Sequence, residues 1–131
     1  MVAVHFQTES HYPFSKTKVR SAVEDYLKKI IKSKSEVSVS VVGNRRMKAL
    51  NNKYRQIDAT CDVLSFPQFE ISGQSVPFVE HPDKVLRLGD IVISYPQAIS
   101  QATKENKLVD DKLIELVLHG LDHLLGKHHE E

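Results

Sequence analysis

The chain has a single cysteine, Cys61, among 131 residues, so it can close no disulfide within itself. That suits a reducing cytosol. A lone cysteine in a strand is more often a small buried hydrophobe than a reactive group. No apolar run approaches the roughly 20 residues of a membrane span. The first residues, Val2-Ala3-Val4-His5-Phe6, alternate like a strand and lack the charged start and apolar block of a signal peptide. The expectation is therefore a cytoplasmic protein with no membrane partner. Internal repeats, linkers and low-complexity segments are absent too, which leaves one domain over residues 1–131 with a single modest core.

Net charge is also nearly missing, at +1, but this hides an asymmetry. Residues 1–55 hold 12 Lys and Arg against 4 Asp and Glu, whereas the remainder holds 6 against 13. Such a split points to a basic surface for a polyanion, although Lys28, Lys29, Lys32 and Lys34 would equally solvate a helix.

What is present reads as alternating strands and helices. Residues 2–8 form a strand, and Ser15 caps a helix that carries Val19, Ala22, Val23, Tyr26, Leu27, Ile30 and Ile31 at steps of three and four. Glu36 to Val42 alternates as a half-buried strand. Gly43-Asn44 turns the chain, with Asn44 as the cap of a helix bearing Met47, Leu50 and Tyr54. A short apolar run, Asp62 to Pro67, is marked by its proline as ending or lying at an edge. Residues 68–87 are the longest loop. Leu88 to Ser94 is a strand, and Ser94 with Pro96 starts a helix through about Asn106. Asp110 or Asp111 caps the last helix.

That last helix carries the most informative segment, His119 to His129, whose frame is H-x3-H-x2-G-x2-H. Residues four apart share a helix face, so His119 and His123 can aim their imidazoles at one point. Gly126 allows the left-handed turn that ends the helix and lets the chain return His129 to that point. Three neutral imidazoles leave one tetrahedral position open, as in a catalytic zinc site. His128 is the rival third ligand; spacing favours His129. Imidazoles suit zinc but also nickel, copper and iron. Zinc proteases share this frame, with a glutamate general base after the first histidine. Here that position is Gly120, so peptidase chemistry by that route is excluded.

Three blocks together resemble the YbeY family of metal-dependent endoribonucleases in ribosomal RNA maturation and ribosome quality control. They are Leu50-Asn51-x-x-Tyr54-Arg55 with Asp62-Val63-Leu64-Ser65-Phe66-Pro67, then Gly89-Asp90-Ile91-x-Ile93-Ser94, then the histidine block. The resemblance runs along nearly the whole chain. It implies an α+β domain with a mixed four-stranded sheet packed with helices and a metal site at the end of the C-terminal helix. It implies one zinc ion on His119, His123 and His129, with His119 thereby part of the catalytic centre. It implies a catalytic, substrate-binding arginine at Arg55 and a groove for single-stranded RNA. The partners it implies are ribosomal RNA and the bacterial small subunit, with a ribosomal protein or GTPase as a further candidate. Three positions depart from the family pattern: Cys61 replaces a threonine, Asp122 a leucine, and Lys127-His128 a Tyr-Asp pair.

From the residues themselves, Arg55 is permanently charged and offers forked donors that match phosphate. Arg45, Arg46, Lys48 and Lys53 lie around the same helix and are placed to track neighbouring phosphates. Asp90 is either an acceptor behind a ligand imidazole or a partner for strand backbone. Ser65 is an ordinary strand residue before it is an RNA contact, and Asp122 a solvated helix residue. The rival function is a non-catalytic, metal-containing assembly module that binds ribosomal RNA.

Overall fold

A computed structural model describes residues 2–9, 11–68 and 85–126. Its elements are β1 (Val2–Thr8), α1 (Lys16–Lys28), β2 (Ser35–Val42), α2 (Asn44–Arg55), β3 (Val63–Pro67), β4 (Leu86–Ser94), α3 (Tyr95–Glu105) and α4 (Val109–Leu124). The strands form one sheet in the order β1-β2-β4-β3. β1, β2 and β4 are parallel, and β3 runs antiparallel along the β4 edge, where Pro67 costs no ladder bond on its open side. This is the expected mixed four-stranded sheet in a single α+β domain. Residues 69–84, most of the expected long loop, lie outside the described residues. No helix of the described residues is long and apolar enough to cross a membrane.

Period-two alternation decides which side chains meet. On one face, Val37, Val39 and Val41 of β2 and Leu88, Ile91 and Ile93 of β4 are buried with Val19, Val23 and Leu27 of α1 and Leu113, Val117 and Leu121 of α4. On the other face, Val42, Leu64 and Val92 pack only against Met47 of α2, with Leu50, Cys61 and Phe66 around them. A bulge in β4 makes this possible. Val37 pairs with Gly89 while Glu36 pairs with Arg87, so Leu88 is the extra residue. Gly89 has φ +135°, and a Cβ there would meet the Phe66 carbonyl oxygen at 2.2 Å. Without the bulge Leu88 would leave the core that Ile91 and Ile93 occupy.

Three helix boundaries differ from the sequence expectation. α1 stops at Lys28 rather than running to Ile31, because the amides of Ile30 and Ile31 both donate to the Leu27 carbonyl and tighten the chain off the helix axis. Ser15 does cap α1, its hydroxyl accepting from the Lys18 amide. Gly43, not Asn44, is the N-cap of α2. The Asn44 side-chain oxygen is instead the acceptor for Thr60, Ser94 and Gln97, which ties α2 to the end of β4 and the start of α3. Leu108 is the N-cap of α4, without a side-chain bond. Asp110 lies in its first turn, where a carboxylate suits the helix dipole, and accepts from the backbone amide of Ser15 at the start of α1.

α4 is held at two further points. Lys112 is buried, and its ammonium lies 2.9 Å from Glu105 at the end of α3 and 3.2 Å from Glu115. Burial pulls its pKa down, but the two carboxylates win and hold it above the ordinary lysine value. Bonds from Lys112 and Lys107 hold Glu105 below the usual carboxylate range, and bonds from Lys107 and Lys112 do the same for Glu115. Farther along, a Cβ on Gly120 would lie 2.9 Å from Cγ2 of the buried Ile91 and 3.2 Å from its Cγ1 and Cδ1. The missing side chain lets α4 settle onto β4.

Both points make predictions. Carboxylates with depressed folded pKa values stabilise the fold fully above their unfolded values and lose that contribution as pH falls through the folded ones. The stability advantage of wild type over Lys112→Met is therefore expected to shrink from about pH 7 to about pH 3. Urea midpoints across that range test it; parallel curves would refute the assignment. Gly120→Ala is expected to cost about 1 kcal/mol, overpacking against Ile91 outweighing the gain in helix propensity. Gly120→Glu, which also buries a carboxylate, is expected to cost about 4 kcal/mol or more. A Gly120→Glu protein with the wild-type midpoint would show that α4 stands off the sheet.

Candidate active site

α2 ends at Arg55 because Gln56 adopts a left-handed conformation, φ 56°, and closes the helix on Asn51 and Asn52. The last residue of a helix is a favourable place for a cation. Asn51, one turn earlier, is almost wholly buried and braces the arginine: Arg55 Nη1 donates to its Oδ1 at 3.5 Å. The Asn51 Nδ2 donates to the Ala59 carbonyl at 2.8 Å, fastening the turn that leads to β3. Sequence reasoning gave Asn51 no role. Its spacing of four from Arg55 on one helix face was the available signal.

His119 and His123 are exposed on one face of α4, with ring centroids 4.9 Å apart and an edge-to-face angle of 65°. Arg55, His119 and His123 line one cavity of about 430 Å³, closed below by β3 and the bare Gly120 backbone, with Asp62 and Ser65 also in its wall. The protease glutamate would have no room here, since position 120 faces Ile91 at contact distance. Paired imidazoles one turn apart suit a borderline-soft divalent ion, and the donor set fits zinc. Among the described residues no group of three or more His, Cys, Asp or Glu could hold an ion. The third ligand expected from sequence, His129, and its rival His128 lie outside the described residues. Gly126, the last described residue, has the expected left-handed conformation, φ +81°.

The other candidates divide between two places. Ser65 is a residue of β3, as expected, and also lines the histidine cavity. Asp62, to which the sequence assigned no chemistry, lines it too; its carboxylate accepts from Gln101 and its carbonyl from the Ser94 amide. Arg46 lines a larger groove, about 700 Å³, on the opposite face of the sheet. Asp90 is there as well, with Tyr54 and Phe66. Its register explains this, since Asp90 pairs with Phe66 while its neighbour Ile91 points to α4. It is therefore not behind an imidazole. The groove is the larger cavity, but imidazole and guanidinium groups converge in the smaller one. Arg45 is exposed and lines neither cavity. The Lys48 ammonium sits 3.8 Å from Asp58.

Two departures from the family pattern acquire structural reasons. Asp122 is half-buried, not solvated, and accepts a hydrogen bond from the Tyr26 hydroxyl of α1. Burial, that bond and the aspartate charge push the Tyr26 pKa up to about 12. Cys61 packs in the α2 cluster. Burial and the Asp62 charge push its thiol up against the opposing pull of Arg55, which disfavours the reactive thiolate.

Comparison with known proteins places the chain in a family. The family model described as Endoribonuclease YbeY matches residues 4–131. A protein named Endoribonuclease YbeY from Dehalococcoides mccartyi (strain BAV1) is 41% identical over 101 residues, covering 74% of this chain and 63% of that protein. Another of that name from a Thermoanaerobacter species is 36% identical over 120 residues, covering 82% of this chain and 76% of the relative. The solution structure of a Thermotoga maritima protein superposes with a TM-score of 0.59 at 25% identity, covering 99% of this chain and 75% of that one. The chain spans about three fifths of the length of the Dehalococcoides relatives it matches. A family model that covers all but the first residues, together with relatives at this identity, leaves one assignment: the chain belongs to the YbeY family.

Proposed function

We propose that this chain is a metal-dependent endoribonuclease that cuts single-stranded RNA, with ribosomal RNA of the small subunit as its substrate in the bacterial cytoplasm. The observation that carries the reading is the convergence of Arg55 with His119 and His123 on one cavity at the sheet edge. His119, His123 and His129 would hold one zinc ion. Bound there, zinc supplies Lewis acidity toward a phosphoryl oxygen.

The rest is done by the chain. Arg55 presents forked N–H donors to the scissile phosphate and opposes its growing negative charge. Asn51 limits the directions that guanidinium can take, so less orientational freedom is lost when phosphate arrives. Arg46 and Arg45, on the same helix, hold neighbouring phosphates of the strand by charge. Gly120 lets α4 sit close on Ile91, which keeps the two imidazoles over the cavity. RNA also brings its own nucleophile, the 2′-hydroxyl, so the product ends identify the route: a 2′,3′-cyclic phosphate marks internal attack.

The test is cleavage of a labelled single-stranded ribosomal RNA fragment, with metal content measured on each preparation. Arg55→Ala is expected to lose about a hundredfold or more in rate while keeping its zinc. His119→Ala is expected to lose both rate and zinc, and chelation of wild type to stop cleavage until zinc is returned. Equal cutting by all three proteins would mark a contaminant. Wild type that binds RNA and zinc yet cuts nothing would put the non-catalytic assembly module in place of the enzyme.

A further inference from the structure

Among the described residues, α2 covers the sheet face opposite the histidines at one end only, and what it leaves open is chemically specific. Tyr54 is 53% exposed and stands edge-to-face with Phe66, ring centroids 5.0 Å apart, with the Lys53 ammonium 5.2 Å from the Tyr54 ring. Large aromatics are seldom left to water without a partner, and these two form one wall of the 700 Å³ groove. Asp90 belongs to β4, an interior strand with neighbours on both sides, yet it is exposed. Among the described residues it has no ion-pair partner. A bare carboxylate near the middle of a sheet, beside an exposed tyrosine, is arranged for something that both stacks and donates hydrogen bonds.

We propose that this groove is a nucleobase subsite: it stacks one base of the single-stranded RNA substrate on Tyr54, which Phe66 braces edge-on, and selects guanine through Asp90. The inference rests on the RNA-cleavage reading and deepens it. Position on α2 supplies the link. Consecutive helical residues point about 100° apart, so Tyr54 and Arg55 splay to different sides of the helix end. Arg55 lines the histidine cavity and Tyr54 lines the groove, so a phosphate held by the first leaves an adjoining base free to lie on the second. Arg46, two turns earlier on the same face of α2, also lines the groove and offers a charge to the next phosphate.

The base preference follows from donor counting. An ionised carboxylate only accepts. Guanine presents N1–H and the 2-amino group side by side, matching two carboxylate oxygens. Uracil offers one N–H between two carbonyls. Adenine and cytosine each place an amino group beside an acceptor nitrogen that the carboxylate repels. Stacking on the aromatic wall is indifferent to base identity. Affinity and selectivity therefore sit on different residues and can be removed separately.

The experiment is fluorescence anisotropy of labelled hexauridine and of the same hexamer with one central guanine, adenine or cytosine, on wild type, Tyr54→Ala, Tyr54→Phe and Asp90→Asn. Cleavage of the ribosomal fragment is followed in parallel. Wild type is expected to favour the guanine hexamer about tenfold. Asp90→Asn is expected to erase that preference. Tyr54→Ala is expected to weaken every hexamer about tenfold, and Tyr54→Phe to restore binding, which a purely structural role for the hydroxyl would not allow. Thermal melts at the wild-type temperature for all variants would confirm intact folds, as these side chains are exposed. Variants that keep wild-type affinities and ranking, while wild type binds and cuts, overturn the subsite and leave the nuclease reading standing. Such a result would assign the groove to a protein partner. Wild type that neither binds nor cuts any RNA overturns both.

Discussion

The close approach of α4 to β4 is the constraint on which the site depends. Ile91 fills the floor of that contact, and only a residue without a Cβ fits opposite it. Moving the helix outward by the width of a methyl group would carry both histidine rings away from the β3 edge. The approach also explains why the position after His119 carries no acid. The same packing that sets the imidazoles over the cavity excludes a glutamate base beside them. Any proton acceptor for chemistry at these histidines must therefore stand somewhere other than position 120.

Fixing one helix at one contact is not enough to aim two rings, and α4 is pinned along its length. Lys112 anchors its first half to Glu105, and Tyr26 anchors its second half to Asp122, one residue from His123. Asp110 ties its first turn to the start of α1. These contacts differ in kind. The lysine is buried while its carboxylate partners stay half exposed, so water screens part of the attraction. The tyrosine bond stands where the resemblance implies an apolar leucine. A polar cross-link there replaces packing with direction: a hydrogen bond fixes the rotation of α4 about its axis more narrowly than a methyl contact does.

The parts of this molecule that sequence made legible are those governed by short-range rules. Alternation in Glu36–Val42 and helical spacing from Val19 to Leu27 follow from local geometry, and both elements form as read. The His119–His123 pair is likewise a matter of four-residue spacing. What could not be read depends on residues far apart in the chain. Asn44 looks like a helix cap by type, yet its oxygen is claimed by Thr60, Ser94 and Gln97. Asp110 caps nothing on its own helix because the Ser15 amide, 95 residues away, needs an acceptor. The face that Asp90 occupies could not be read for a related reason. Leucine, glycine and aspartate in succession do not announce a bulge, and one extra residue decides which face of the sheet an aspartate occupies.

That bulge connects the core to the second cavity. It returns Leu88 to the helical side, so the strand keeps its apolar seal, and it leaves Asp90 facing away from that seal. The two faces of the sheet then have opposite characters. One is closed by α1 and α4 and bears the imidazoles at its rim. The other, among the described residues, is open beyond Met47 and bears a carboxylate, two aromatics and an arginine. α2 is the element shared between them, ending with Tyr54 toward one side and Arg55 toward the other. A ligand that engages both faces must bend around the end of this helix. Such a path suits a flexible polyanion with flat, detachable side groups, which is a description of single-stranded RNA. A duplex, too wide and too stiff to wrap one helix end, would reach the arginine but not the tyrosine.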